Sequence, residues 1–363
     1  MKHIYLIFLL FCICSFGQQK TQAADIKLGF DKDEYADMLW LSFIGIQDSM
    51  AQKNNFALRK GSYRRIFRSK EVGLKNLCEV YLVDDKTAVL NLRATIDHQD
   101  SWLENFYGAM LPAKGKLKID HSYWFDYKLA ELENASVHAG WLLGTAFLVR
   151  EYEPVIKSLL SQGIERLVVS GHSQGGALSF LNASLLYYRY KSKYPDLRMK
   201  VYASAAPKPG NLYYAYDFDH IFSGEAFRVV NTSDWVPEML MGMQTWHDLN
   251  QVNPMTAPSK PDGSFLTELP NNKVFLQTVS DNATAANSGL RFYGNEVYGQ
   301  VCRVLPDFVE PTYAKSFNYV PAGVPVVLVP DGEYHNKFDS TGGLFRHHLY
   351  EPYMYLLNRY NSK

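Results

Sequence analysis

The run Gly171-His172-Ser173-Gln174-Gly175-Gly176 constrains this chain more than any other feature. As a bare G-x-S-x-G pattern it arises by chance in about one chain in eight of this length, so its surroundings decide what it means. Leu167, Val168, Val169 and Ser170 precede it and read as a strand buried on both faces. Ala177, Leu178, Phe180 and Leu181 follow and open a helix with an apolar face. A strand that turns into a helix this abruptly needs glycines where a Cβ would collide with neighbouring backbone, and it lifts the central hydroxyl above the sheet. Ser173 therefore reads as a nucleophile.

The rest of the chain supplies the matching alternation. Periodicity predicts a helix over 33–52, strands over 79–83 and 87–92 around the turn Asp84-Asp85-Lys86, and a long helix over 137–160 closed by Gln162-Gly163. Strand 166–170, helix 174–190, strand 199–204, a helix near 212–218 and strand 227–230 follow. Strands alternating with helices define an α/β sheet. Residues 244–289 are rich in Pro, Asn, Ser and Asp and read as an insertion or long loops. Later strands are expected at 316–319 and 324–329, with a closing helix over 348–359. The expected organisation is one domain over 18–363, with an insertion at about 244–315.

A serine hydroxyl attacks poorly unless a histidine takes its proton, and that imidazole needs a carboxylate to fix its tautomer and stabilise its charge. On this kind of strand–turn–helix the acid follows at the end of a later strand and the histidine comes last. Strand 227–230 runs into Asn231-Thr232-Ser233-Asp234-Trp235-Val236-Pro237, which makes Asp234 the candidate acid; by composition alone a turn-forming aspartate is the alternative. Of the 10 histidines, His220, His247, His335, His347 and His348 lie beyond Ser173.

Four separated segments, in order, resemble the class 3 lipase family. They are Val137-His138-Ala139-Gly140-Trp141, Gly171 to Ala177, Ala206-Pro207-Lys208-Pro209-Gly210-Asn211, and Arg228 to Pro237. The resemblance implies an α/β-hydrolase fold, with a central, mostly parallel sheet flanked by helices, and the activity of a serine hydrolase of carboxylic esters. It implies Asp234 as the triad acid and a histidine at the start of the C-terminal helix. His348, followed by Leu349, Tyr350, Tyr353 and Leu356, fits that place best, with His347 as its rival. It also implies that backbone amides of Gln174 and Thr95 form the oxyanion hole, Thr95 lying in Asn91-Leu92-Arg93-Ala94-Thr95, where Ala94 stands in place of the family's glycine. Arg93 reads as a structural residue binding carbonyls or a carboxylate, His138 and His172 as braces of the turn, and His247 and His335 as surface or loop residues. This chemistry requires no metal and no cofactor.

Trp102, Leu103, Phe106, Tyr107, Met110 and Leu111 recur at helical intervals, a stripe that serves equally a lid over 97–112 facing lipid and a helix packed on the core. Met239, Leu240, Met241 and Met243 suit either an acyl pocket or a core segment. With 37 basic and 37 acidic residues, nothing in the charge balance recruits nucleic acid; the expected partner is a lipid or ester substrate, with transient contact at a lipid interface. Met1-Lys2-His3, the apolar run 4–16 and Gly17 fit a secretory signal over 1–17, hence export to the periplasm, the cell surface or the medium, with an uncleaved anchor as the alternative. Cys78 and Cys302 then remain, as a pair or as two free thiols.

Overall fold

In the computed structural model, residues 28–46, 63–250 and 272–360 are described. The expected signal over 1–17 lies outside them. Seven strands form one sheet in the order β1 (Arg64–Arg68), β2 (Cys78–Leu82), β3 (Thr87–Leu92), β8 (Arg166–His172), β9 (Arg198–Ser204), β10 (Ala226–Asn231), β11 (Val324–Leu328). β1, β2 and β3 pair antiparallel, and from β3 onward every pairing is parallel. Two short antiparallel pairs lie apart: β4 (Met110–Pro112) with β7 (Ser136–His138), and β5 (Lys114–Lys118) with β6 (Trp124–Lys128).

Strand side chains alternate between faces, and here both faces are covered, so the strands are apolar nearly throughout. Leu90 and Leu92, Leu167 and Val169, and Val201 and Ala203 enter one core with α3 (Ala139–Ser161), α4 (Gln174–Tyr190) and α5 (Leu212–Phe222). Val89, Val168, Tyr202, Phe227 and Val229 enter the opposite one with α1 (Lys32–Ile46), α8 (Gly332–Phe338) and α9 (Tyr350–Arg359). α1 contributes Tyr35, Met38, Leu39 and Ser42, one face at i, i+3, i+4 and i+7. Ser42 Oγ donates to Asn91 Oδ1 at 3.1 Å, tying that helix to β3.

Two expectations need correction. Of the two alternatives for 244–289, an insertion or long loops, the loop alternative fails from 272 onward: α6 (Asn272–Leu290) runs through a π-helical turn, Arg291–Glu296, into α7 (Val297–Val304). Its inner face is Ala286, Gly289, Gly294, Val297 and Val301. Small residues leave little apolar periodicity to read, and the Asn, Ser and Thr around them favour turns when read singly. The strand expected at 316–319 is reduced to one bridge between Met243 and Phe317. Cys78 is buried in β2 and Cys302 half-buried in α7, and both thiols are free. No helix among the described residues is long and apolar enough to cross a membrane.

Candidate active site

Because β3, β8 and β10 run parallel, their carboxyl ends open on one edge of the sheet, where binding sites of open α/β sheets form. Thr95 follows β3, Ser173 follows β8 and Asp234 follows β10. Ser173 adopts φ 59° and ψ −126°, a conformation that non-glycine residues avoid, and its amide is held by the Ser204 carbonyl at 2.9 Å. The turn closes only because its neighbours lack side chains. A Cβ on Gly175 would stand 2.1 Å from the Leu92 carbonyl oxygen, and one on Gly171 2.3 Å from the backbone of Gly175.

The last loop brings His348 to Asp234 across 114 residues, with Nδ1 2.7 Å from Oδ2. A carboxylate only accepts, so Nδ1 carries the proton of the neutral ring. Tyr353 Oη donates to the same Oδ2 at 2.8 Å and the Val236 amide to Oδ1 at 3.1 Å, so the fully enclosed Asp234 carboxylate accepts three hydrogen bonds. His348 Nε2 is buried and has no hydrogen-bond partner. Its lone pair is free to take a proton, and His348 shares one cavity with Ser173. His347 goes elsewhere: its Nδ1 is hydrogen-bonded at 2.8 Å to Tyr334 Oη, which also accepts from Asn231, and its Nε2 lies 3.6 Å from Asp339.

His172 packs against His348, ring centroids 4.6 Å apart, yet both its nitrogens are taken. Nε2 lies 2.8 Å from the His348 carbonyl, so it must donate there; Nδ1, 3.0 Å from Ser204 Oγ, must then accept. Ser204 in turn accepts from Tyr35 Oη at 2.7 Å. One carbonyl thus fixes the direction of three hydrogen bonds, and burial beside His348 holds the His172 pKa well below 6.5. His138 is a brace of the same kind. Its Nδ1 accepts the Trp141 amide at 3.2 Å, its Nε2 bonds the Asn105 carbonyl at 3.2 Å, and burial lowers its pKa to about 3. His247 and His335 are exposed, and His335 pairs with Asp339.

Gln174 opens α4, where the first amides of a helix have no intrahelical acceptor and its dipole is positive. Thr95 Oγ1 donates to Gln174 Oε1 at 2.7 Å and accepts from Asn105 Nδ2 at 2.9 Å, so the two candidate oxyanion residues are fixed to each other. Ala94 has no positive φ, which is why a Cβ is tolerated there. Arg93 Nη2 reaches Glu71 at 2.7 Å and the Lys75 carbonyl at 2.8 Å, the structural part expected of it.

Asn105 ends α2 (Gln99–Phe106), the helix of the apolar stripe. This helix is tied down by polar groups: Trp141 Nε1 donates to Asn105 Oδ1 at 3.0 Å, the Gly140 amide to the Tyr107 carbonyl at 2.9 Å, and Asn76 to the buried Glu104. Burial raises the Glu104 pKa to about 8, against the opposing pull of the Asn76 and Gln174 side chains. The outer face of α2 is different: Phe106 is 53% exposed and Trp102 half-buried, and both border the cavity. That cavity, of about 570 Å³, is lined by Trp40, Phe43 and Ile44 of α1 and by Val236, Met239, Leu240 and Tyr293 among others. Of the methionine segment, Met239 and Leu240 line it, Met241 is exposed and Met243 packs in a small core beneath. No group of three or more His, Cys, Asp or Glu among the described residues is arranged to hold a metal ion.

Tyr353, Asn105, Ser204 and Tyr35 are the residues that sequence reasoning missed. The aromatic spacing after His348 hints at Tyr353, but nothing local signals the other three, whose partners are distant in the chain.

The sheet order, the turn after β8 and the site at the carboxyl ends define the α/β-hydrolase fold. Residues 89–243 match the family model described as Lipase (class 3). A lipase of Rhizopus niveus is 33% identical over 116 residues, which is 31% of this chain and 28% of that protein. "Secreted mono- and diacylglycerol lipase 3" of Gibberella zeae is 36% identical over 75 residues, 21% of this chain and 23% of that one. The matched stretch thus spans about a quarter of the length of these curated relatives. Among solved structures, the lipase from Rhizopus microsporus var. chinensis aligns at TM-score 0.43 with 19% identity, covering 59% of this chain and 71% of that one.

Proposed function

We propose that this chain hydrolyses carboxylic esters through an acyl-enzyme on Ser173. The observation that carries the reading is the His348 imidazole, with Nδ1 committed to buried Asp234 and Nε2 bare, in the cavity that Ser173 enters. Ser173 Oγ attacks the ester carbonyl carbon while Nε2 takes its proton, and the amides of Gln174 and Thr95 receive the developing oxyanion. The imidazolium, stabilised by Asp234, passes that proton to the departing alkoxide; water then attacks the acyl-enzyme by the same route and frees the acid and Ser173.

The substrate class is a lipid ester of the acylglycerol kind, supported by the apolar cavity and by relatives named as lipases and as secreted mono- and diacylglycerol lipases. Export over a signal at 1–17, with 18–363 as one domain carrying an insertion at about 244–315, belongs to the same proposal. So does transient contact with a lipid interface through the exposed face of α2. A second reading, an esterase of soluble short-chain esters, draws on the buried polar ties of α2, which oppose its swinging away as a lid. Rates on soluble butyrate esters and emulsified long-chain acylglycerols, for wild type and Ser173→Ala, test both. Activity lost in Ser173→Ala supports the mechanism, and a rate jump on crossing into the emulsion favours the lipase over the esterase. Activity surviving in Ser173→Ala refutes the acyl-enzyme.

A further inference from the structure

We propose that Tyr293, delivered by the helix inserted after the class 3 lipase segment, is the end wall of the acyl site and sets the length of acyl chain accepted. This assignment rests on the ester-hydrolase reading above and adds the residue that limits the substrate.

Tyr293 lies in the π-helical turn Arg291–Glu296, within an otherwise α-helical run from α6 into α7. A π turn adds a residue to the helical repeat and so changes which side chain faces inward; such turns cluster at functional sites. Here it sets Tyr293 into the cavity wall while neighbouring Phe292 is 50% exposed. The turn is anchored on both sides. The Ala109 amide donates to the Tyr293 carbonyl at 3.3 Å, and Gly294 is packed so closely that a Cβ there would stand 3.1 Å from Ala109 Cβ and from the Tyr313 ring.

The Tyr293 ring is backed by a rigid surface. It stacks on Phe317 at 5.7 Å between centroids and 27° between planes, and Phe317 is 1% exposed. Leu240 Cδ1, His138 Nε2 and Tyr293 Cδ1 converge on Gly108, where an added Cβ would stand 3.3, 3.5 and 3.5 Å from them. Val236, Met239 and Leu240, which follow Asp234 in the chain, line the same cavity as Tyr293. An apolar acyl chain finds its burial against these side chains and the Tyr293 ring. Because Phe317 holds the ring in place, a chain reaching Tyr293 gains nothing from further methylenes.

The test compares wild type, Tyr293→Ala and Tyr293→Trp on p-nitrophenyl esters from acetate to palmitate, with a constant leaving group and Ser173→Ala as blank. One methylene in an apolar pocket is worth about 10-fold or more. The ratio of kcat/KM on palmitate to that on butyrate is expected to rise about 10-fold in Tyr293→Ala and to fall about 10-fold in Tyr293→Trp. Shifts in opposite directions do not arise from destabilisation alone, and thermal unfolding of each variant checks its fold. If Tyr293→Ala fails to fold, Tyr293→Leu replaces it with the same expected direction. Identical length profiles in folded variants overturn the assignment alone. A wild-type chain that cleaves no ester in the series overturns the hydrolase reading, and this assignment with it.

Discussion

His172 and His348 are packed neighbours, their rings tilted 48° to each other and both buried, yet the fold has put them to opposite uses. His172 has both nitrogens paired, in a chain that runs from the His348 carbonyl through Ser204 to Tyr35. His348 has one nitrogen on a carboxylate and the other on nothing. Burial alone keeps an imidazole neutral; a base also needs an uncommitted lone pair and a negative group to stabilise the cation it becomes. The saturated ring positions the other by holding its backbone.

The largest effect should come from removing the open ring. His348→Ala is expected to lower kcat by about 10⁴-fold to 10⁶-fold in ester-hydrolysis assays, and an unchanged rate would break the contrast outright. Asp234→Asn should follow at about 10⁴-fold with the protein still folded, because an amide in place of the carboxylate favours the wrong tautomer of His348.

The closed ring should report on stability. His172 and His138 have pKa values below the 6.5 of an unfolded histidine, so below that pH the unfolded chain binds more protons than the folded one. Their contribution is complete above pH 6.5 and is lost as the pH falls toward the folded values, at up to about 1.4 kcal/mol per pH unit for each histidine. Urea unfolding of wild type and His172→Gln between pH 7 and pH 5, run at about one-unit steps, should show the shallower slope in the variant. Equal slopes would mean that His172 is not held neutral.

Smaller effects sharpen the picture. Tyr353→Phe removes one of the three donors on Asp234 and should cost about 10-fold in kcat, the scale of one hydrogen bond to a charged group. His347→Ala should stay within about threefold in kcat, since this half-buried ring is held by Tyr334 and lies outside the relay; a large loss there would reassign the base.

Sequence made one half of this contrast legible and hid the other. The Ser173 turn is written in consecutive residues, and Asp234 follows a strand with a readable apolar run, so both are local signals. His348 is preferred to His347 only through the family resemblance; the aromatic residues behind it form α9 and deliver Tyr353. The pairing of His172 with Ser204 and of Ser204 with Tyr35 spans 32 and 169 residues, and no local pattern encodes it. The same holds for Phe43 of α1, which packs its ring 4.8 Å from His172 and lines the cavity. The inserted helix was hidden for a different reason, since its buried face is made of Ala, Gly and two valines.

Labelling with a fluorophosphonate, followed by peptide mapping of wild type, His348→Ala and His347→Ala, tests the base and nucleophile together. The account predicts one adduct, on Ser173, formed quickly in wild type and His347→Ala and slowed by orders of magnitude in His348→Ala. An adduct on another residue, or equal labelling rates with and without the His348 ring, would contradict it.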